Sequence, residues 1–354
     1  MTLGWVNVKS YGAAGDGSAD DTAAINSAIA AVNAAGRGVL YFPPGTYSTS
    51  GGLTAIDVPC LVLGSGGGGG NTLNYQGGNQ LVGHVSQVLC SSATAVLFTV
   101  SSSGVQFHDL SLRNTAAGTP SAGAAIQTIA TGGDHAVYAG LTVVGFWDQI
   151  DHQYGREYTI GPHNHFIDPV NDSLRLQNLD AADEGEVSIF DNRFLQQSHL
   201  SNSAINLLRS GGMRIFNNQF YGLGAGTYHN VFIRVNLADP SSNVRISDNT
   251  LENFLTHAIA VNLTSTDMLY TLQIHDNNFD GGTSSNHEAI NLRYVTNAQI
   301  HDNVIIGRGQ AFAAIALTNV TNANIHDNGH KSFNAFTDET TSADVTLTAN
   351  YTIG

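Results

Sequence analysis

Between residues 145 and 186 the chain reads GFWDQIDHQYGREYTIGPHNHFIDPVNDSLRLQNLDAADEGE, with Trp147, Tyr154, Tyr158, three histidines and nine acids. Aromatic rings beside carboxylates suit carbohydrate, because ring faces stack on sugars while acids bond hydroxyls and transfer protons. Glycoside hydrolysis needs two carboxyl groups, about 5 Å apart for retention and ~6.5–9.5 Å apart for inversion. Asp180, Asp183, Glu184 and Glu186 share one acidic turn and are candidate catalysts. Asp183 or Glu186 is expected to pair with Asp180, or with an acid earlier in the segment, Asp151 or Glu157. The competing reading of DAADEGE is a solvated acidic loop.

β-Elimination from a uronic acid makes a second claim on the same residues. That reaction needs charge neutralisation at the carboxylate and a base. Arg156, His152, Tyr154, His163 and His165 offer both. Trp147, His152, Tyr154, Arg156, Tyr158 and His163 are therefore candidate substrate-binding residues. HNH at 163–165 is a metal-like fragment, but alternate histidines on a strand more often flank a turn, and no metal site is expected. A second candidate surface holds His257 and Glu288, each two residues before an inward isoleucine (Ile259, Ile290), where Ser203 and Ala313 occupy the same slot without charge. A satisfied local hydrogen bond is the alternative there. The run GSGGGGGN at 64–71 lacks a following Gly-Lys-Ser, so it reads as a connection and not a phosphate loop.

These residues must be held by a scaffold, and the chain's repeats say which. Ile189, Ile215, Ile246, Ile274, Ile300 and Ile325 recur at intervals of 25 to 31 residues, as in "NVRISDN" and "LQIHDNN". A second series, AINLL, AIAVNL, AINLRY and AIALTN, begins at Ala204, Ala258, Ala289 and Ala314. Short alternating strands between Gly, Asn and Ser turns, with a period in the twenties, are a solenoid signature. The leucine-rich spacing is missing, and ~25 residues per coil suit a right-handed parallel β-helix. Coils would stack about 4.8 Å apart, placing equivalent residues in columns. Asn192, Asn218, Asn249, Asn277, Asn303 and Asn328 then form an amide ladder, with Asn also suited to the left-handed turn. Asp191, Asp248, Asp276, Asp302 and Asp327 recur with it and are read as structural, which removes them from the list of catalysts. Cys60 and Cys90 are expected to stack one coil apart as buried thiols.

Composition narrows the partners. Charged residues are 12% and glycines 39 of 354, a strand-and-turn balance. A net charge of −15 repels a phosphate backbone, so nucleic acid is not expected as a partner. No apolar stretch is long enough to span a bilayer. MTLGWVNVKSYG lacks the build of a secretion signal, so export is by another route or a signal has been trimmed.

Residues 6–47 read VNVKSYGAAGDGSADDTAAINSAIAAVNAAGRGVLYFPPGTY. Asp20 or Asp21 can cap a helix over residues 23–35 that ends at Gly36 and covers the solenoid end. This strand, helix and "GVLYFPPGTY" order resembles the N-terminal module of the pectate-lyase-like β-helix superfamily, which includes bacteriophage tailspikes, polysaccharide lyases, glycoside hydrolases and alginate epimerases. "LTVVGFWDQI" and "DAADEGEVSIFDNRF" look most like phage tailspike β-helices. The epimerase run Tyr-Gly-Phe-Asp-Pro-His is pulled apart here into YGREYTIGPHNH, which argues against an epimerase. The resemblance implies an all-β, right-handed single-stranded parallel β-helix of about ten coils. Its parts are a capping module over 1–50, a body over 51–335 and a strand or tail over 336–354. It also implies a tailspike-type depolymerase, a homotrimer that binds and hydrolyses a bacterial surface polysaccharide, on a virion tail or secreted if a free enzyme. A polysaccharide lyase and a non-catalytic glycan-binding spike are the alternatives. No cofactor is expected, calcium being the exception for a lyase.

Overall fold

The computed structural model describes residues 4–66, 85–130, 132–177, 179, 185–198, 200–208, 211–222, 229–236, 243–266, 268–281 and 287–353. Asp180, Asp183 and Glu184 lie outside these residues, as do residues 67–71 of the glycine run. The fold is a right-handed parallel β-helix, and the chain divides into two compact units, Met1–Val170 and Asn171–Gly354.

In the second unit the isoleucine column is real. Val187–Phe190, Met213–Phe216, Val244–Ser247, Leu272–His275, Thr296–His301 and Thr321–His326 pair in parallel, with Ile189, Ile215, Ile246, Ile274, Ile300 and Ile325 in register. A second face stacks Phe194, Phe220, Leu251, Phe279 and Ile305. The third stacks Leu174, Ile205, Ile233, Ile259, Ile290 and Ile315. All of these side chains are buried, and the three columns line the core. The strand His229–Val235 contributes Ile233 without the Ala-Ile signature of its neighbours, which is why the sequence series skips a coil.

At the corner between the first two faces each asparagine amide donates to the Oδ1 of the next, from Asn192 through Asn218, Asn249, Asn277, Asn303 and Asn328 to Asn350, at 2.9–3.1 Å. The same amides satisfy backbone carbonyls that the sharp turn would otherwise strand; Asn249 Nδ2 donates to Ile215 O and Ser247 O, both at 2.9 Å. The left-handed backbone falls one residue earlier than the sequence suggests. Asp191, Asn217, Asp248, Asp276, Asp302 and Asp327 take φ of +55 to +58°. The two turn duties are thus divided, with a short acid or amide at the strained position and an asparagine in the ladder. Removing one rung, Asn249→Ala, leaves several buried donors and acceptors unpaired. The expected loss is about 3 kcal/mol or more in urea unfolding of the full chain, and a loss below about 1 kcal/mol would contradict the ladder's role.

The first unit winds its coils with less regular sequence. Trp5–Asn7, Gly38–Tyr41, Cys60–Leu63, Gln106–His108, Val137–Ala139 and Tyr158–Ile160 pair in order on one face. Gly45–Thr49, Ser86–Cys90, Ser111–Asn114, Thr142–Val144 and His165–Ile167 do so on another. Phe98–Val100, Ala124–Thr128 and Asp148–His152 make the third. Cys60 and Cys90 therefore occupy different faces and do not stack, contrary to the thirty-residue arithmetic. Each is a buried free thiol, and burial pushes the Cys60 thiol up to about 11.

The helix Thr22–Ala35 buries Ile25, Ala28, Ile29 and Val32, and Gly36 ends it at φ +74°. Its capping differs in detail from expectation. Asp20 accepts from the Thr22 N–H at 2.9 Å, while the Asp21 carboxylate turns back to the Ala14 and Gly15 amides.

Candidate functional site

The acidic and aromatic segment of the first unit is mostly structural at its centre. His152 closes the strand Asp148–His152 and is fully buried. Its ring stacks on Tyr158 with centroids 3.6 Å apart, and its Nδ1 lies 3.1 Å from the Tyr138 hydroxyl. Burial pulls its pKa down to about 3, so the ring is neutral at ordinary pH. Burial raises the Tyr158 phenol well above its ordinary value. His152 and Tyr158, expected on a sugar-binding surface, are thus core residues. Asp151 is buried and accepts from Gln127 Nε2 at 2.8 Å and Gln153 Nε2 at 2.6 Å.

The remaining first-unit candidates point outward. Glu157 is exposed at φ +53° and meets His135 at 3.0 Å. Arg156 is exposed, its backbone N–H and guanidinium both directed to Asp134. Trp147 and Tyr154 are half-buried, and His163 is exposed at φ +64°. Among the second-unit candidates, Glu186 is exposed.

A second set of perturbed ionisable groups lies on the third face of the second unit. Strand register aligns Asp172, Ser203, Val231 and His257 in one column, and Arg175, Asn206, Arg234, Ala260 and Asn291 in another three residues further along the strands. Asp172 is almost fully buried. One of its oxygens accepts from Ser203 Oγ at 2.6 Å and Asn202 Nδ2 at 2.9 Å, and the other accepts from Asn206 Nδ2 at 2.9 Å. Burial raises the Asp172 pKa, against the pull of these donors and of the Arg234 charge. Burial lowers the Arg234 pKa, with Asp172 opposing. Arg234 also bears on His257, whose pKa falls through burial and is held up by the Glu288 carbonyl and carboxylate. His257 Nδ1 lies 2.9 Å from the Glu288 carbonyl oxygen and 3.7 Å from its carboxylate.

The structure therefore brings together His257 and Glu288, as their shared slot suggests, and adds Asp172, Asn206 and Arg234, which sequence reasoning left out of the site. The missing signal was available. Asp172 stands two residues before the inward Leu174, the same slot as His257 and Glu288, but the Ala-Ile signature that marks that slot is absent from DSLRL. The cluster thus combines a carboxyl group raised by desolvation with a nearby cation and with amide and hydroxyl donors bonded to that carboxyl.

Comparison with known proteins supports the architecture. Residues 5–83 match the family described as rhamnogalacturonase A/epimerase, pectate lyase-like. A tailspike protein of E. coli bacteriophage HK620, solved in complex with a pentasaccharide, superposes with a TM-score of 0.71 at 12% identity, covering 99% of this chain and 67% of that one. DFA-IIIase from Arthrobacter chlorophenolicus A6, solved without its lid in complex with GF2, gives 0.68 at 16% identity over 100% and 99% of the two chains. Mannuronan C5-epimerase AlgE1 of Azotobacter vinelandii is 54% identical over 57 residues, spanning 16% of this chain and only 4% of that protein's length. Identities this low in the solved structures speak for the fold alone. The N-terminal segment matches the pectate lyase-like family, and the whole chain has the fold of its parallel β-helices.

Proposed function

We propose that the chain acts on a polysaccharide, as a tailspike-type depolymerase that binds a bacterial surface glycan and hydrolyses its glycosidic bonds. The observation that carries this reading is Asp172, a buried carboxyl with a raised pKa, set among Ser203, Asn206 and Arg234 on one face of a β-helix. In the proposed reaction Asp172 gives its proton to the glycosidic oxygen as the bond to the anomeric carbon breaks. Water adds to that carbon, and its proton passes to a second carboxylate, for which the acidic run Asp180, Asp183, Glu184 and Glu186 is the proposed source. Asn206 and Arg234 would bind sugar oxygens. The pentasaccharide in the tailspike structure and the mannuronan named for the epimerase both support a glycan as the ligand class.

A second reading is β-elimination, favoured by one observation: Arg234 is half-buried near Asp172, and such a cation would neutralise a uronate carboxylate. Incubation with a panel of bacterial polysaccharides separates the outcomes. Reducing ends without unsaturated-uronate absorbance are expected. A rise in both means a lyase, and binding with neither means a receptor spike. Assembly as a homotrimer on a virion tail, or secretion as a free enzyme, belongs to the same proposal.

A further inference from the structure

Three donor groups converge where the third face of the second unit begins its strands His257–Asn262 and Ile290–Arg293. One imidazole nitrogen of His257, one of His287 and one carboxylate oxygen of Glu288 all lie within 4.8 Å of one another. The centre of a triangle with that edge is about 2.8 Å from each corner. Coordination at the ~2.0–2.2 Å of zinc–nitrogen and zinc–oxygen bonds asks each donor to move inward by about 0.6–0.8 Å.

The surroundings fit coordination better than a chance meeting of polar groups. A carbonyl oxygen only accepts, so the 2.9 Å contact from His257 Nδ1 to Glu288 O places the hydrogen on Nδ1 and leaves the Nε2 lone pair free to bind. That outer hydrogen bond is the one metal-ligating histidines ordinarily make. The His287 ring lies nearly parallel to Phe312, with centroids 5.7 Å apart and planes 15° apart, which steadies an otherwise exposed imidazole. The same contact gives a use to Phe312, one of the exposed large apolar side chains.

We propose that His257, His287 and Glu288 form a three-ligand site for a divalent transition-metal ion of the zinc class. Two imidazoles and one carboxylate select such ions over calcium and magnesium, which prefer all-oxygen shells. Three protein ligands leave a coordination position to water or to an oxygen of a bound molecule. The proposal stands apart from glycan cleavage, because its test reads metal binding directly.

The full chain, stripped with a chelator, would be titrated calorimetrically with Zn²⁺, and with Co²⁺ followed by visible absorption. One ion per chain is expected, with a cobalt spectrum showing nitrogen ligation. His287→Ala and Glu288→Gln should each weaken binding by about tenfold or more. His326→Ala, whose half-buried side chain pairs with Asp327 on another face, should bind as the parent does. Circular dichroism checks that each variant is folded, and the exposed His287 makes its alanine variant the safest of the three. Absence of binding, unchanged affinity in both site variants, an equal loss in His326→Ala, or displacement by excess Ca²⁺ would each overturn the assignment.

Discussion

Replacing Asp172 with asparagine should lower the rate of polysaccharide cleavage by about 10²- to 10⁴-fold, the contribution expected of one positioned acid. The side chains are nearly the same shape, but the amide has no acidic proton to give the leaving oxygen. The fall should appear in kcat with KM little changed, since a group that acts by proton transfer contributes to the transition state and not to ground-state binding. Burial raises the Asp172 pKa, so the parent's activity should persist to higher pH than an ordinary carboxyl acid would allow. Asp172 also anchors Ser203, Asn202 and Asn206, so a thermal melt must accompany the kinetics. Arg234→Ala supplies the matching test of binding, with KM expected to rise while the melt stays close to the parent's. Parent-like cleavage by Asp172→Asn, within a few-fold, would remove the carboxyl from the mechanism.

The second large effect is on stability and concerns His152. Its folded pKa is about 3, lowered by burial, against an ordinary value near 6.5 in the unfolded chain. The unfolded form therefore takes up a proton on acidification that the folded form refuses. The stabilisation is fully present above about pH 6.5 and is lost as pH falls towards 3, reaching about 5 kcal/mol. His152→Phe keeps a ring against Tyr158 and removes the titration. Its loss of the Tyr138 hydroxyl contact carries no dependence on pH and cancels in the comparison. Unfolding free energies at pH 7.5 and pH 4.5 should show the parent losing about 3 kcal/mol more than the variant between them. Parallel losses would mean that His152 reaches solvent in the folded state.

Much of the architecture was legible because the second unit repeats itself. The Ile-x-(Asp/Asn)-Asn phrase fixes inward column, left-handed turn and ladder rung within four residues, and each coil repeats it in register. The first unit carries no such phrase. Its strands at Gln106–His108, Val137–Ala139 and Tyr158–Ile160 share a face without sharing a motif, so the Cys60 and Cys90 spacing was read against the wrong period. The site was harder for a different reason. Aromatic and acidic residues between 145 and 186 have the composition of a sugar site, yet composition does not say which way a side chain faces. His152 and Tyr158 turn inward, while Asp172 gains its significance from Asn206 and Arg234, 34 and 62 residues away in the chain. Slot position, unlike composition, carries orientation: it put His257 and Glu288 side by side, where they make the local hydrogen bond that was the alternative to a sugar-binding role.

The most direct test is a crystal structure of Asp172→Asn with an oligosaccharide derived from whichever polymer the parent cleaves. Sugar rings are expected along the third face of the second unit, with the scissile oxygen beside residue 172 and hydroxyls on Asn206 and Arg234. Sugar bound instead against Trp147, Tyr154 and Arg156, with the Asp172 face bare, would contradict the account.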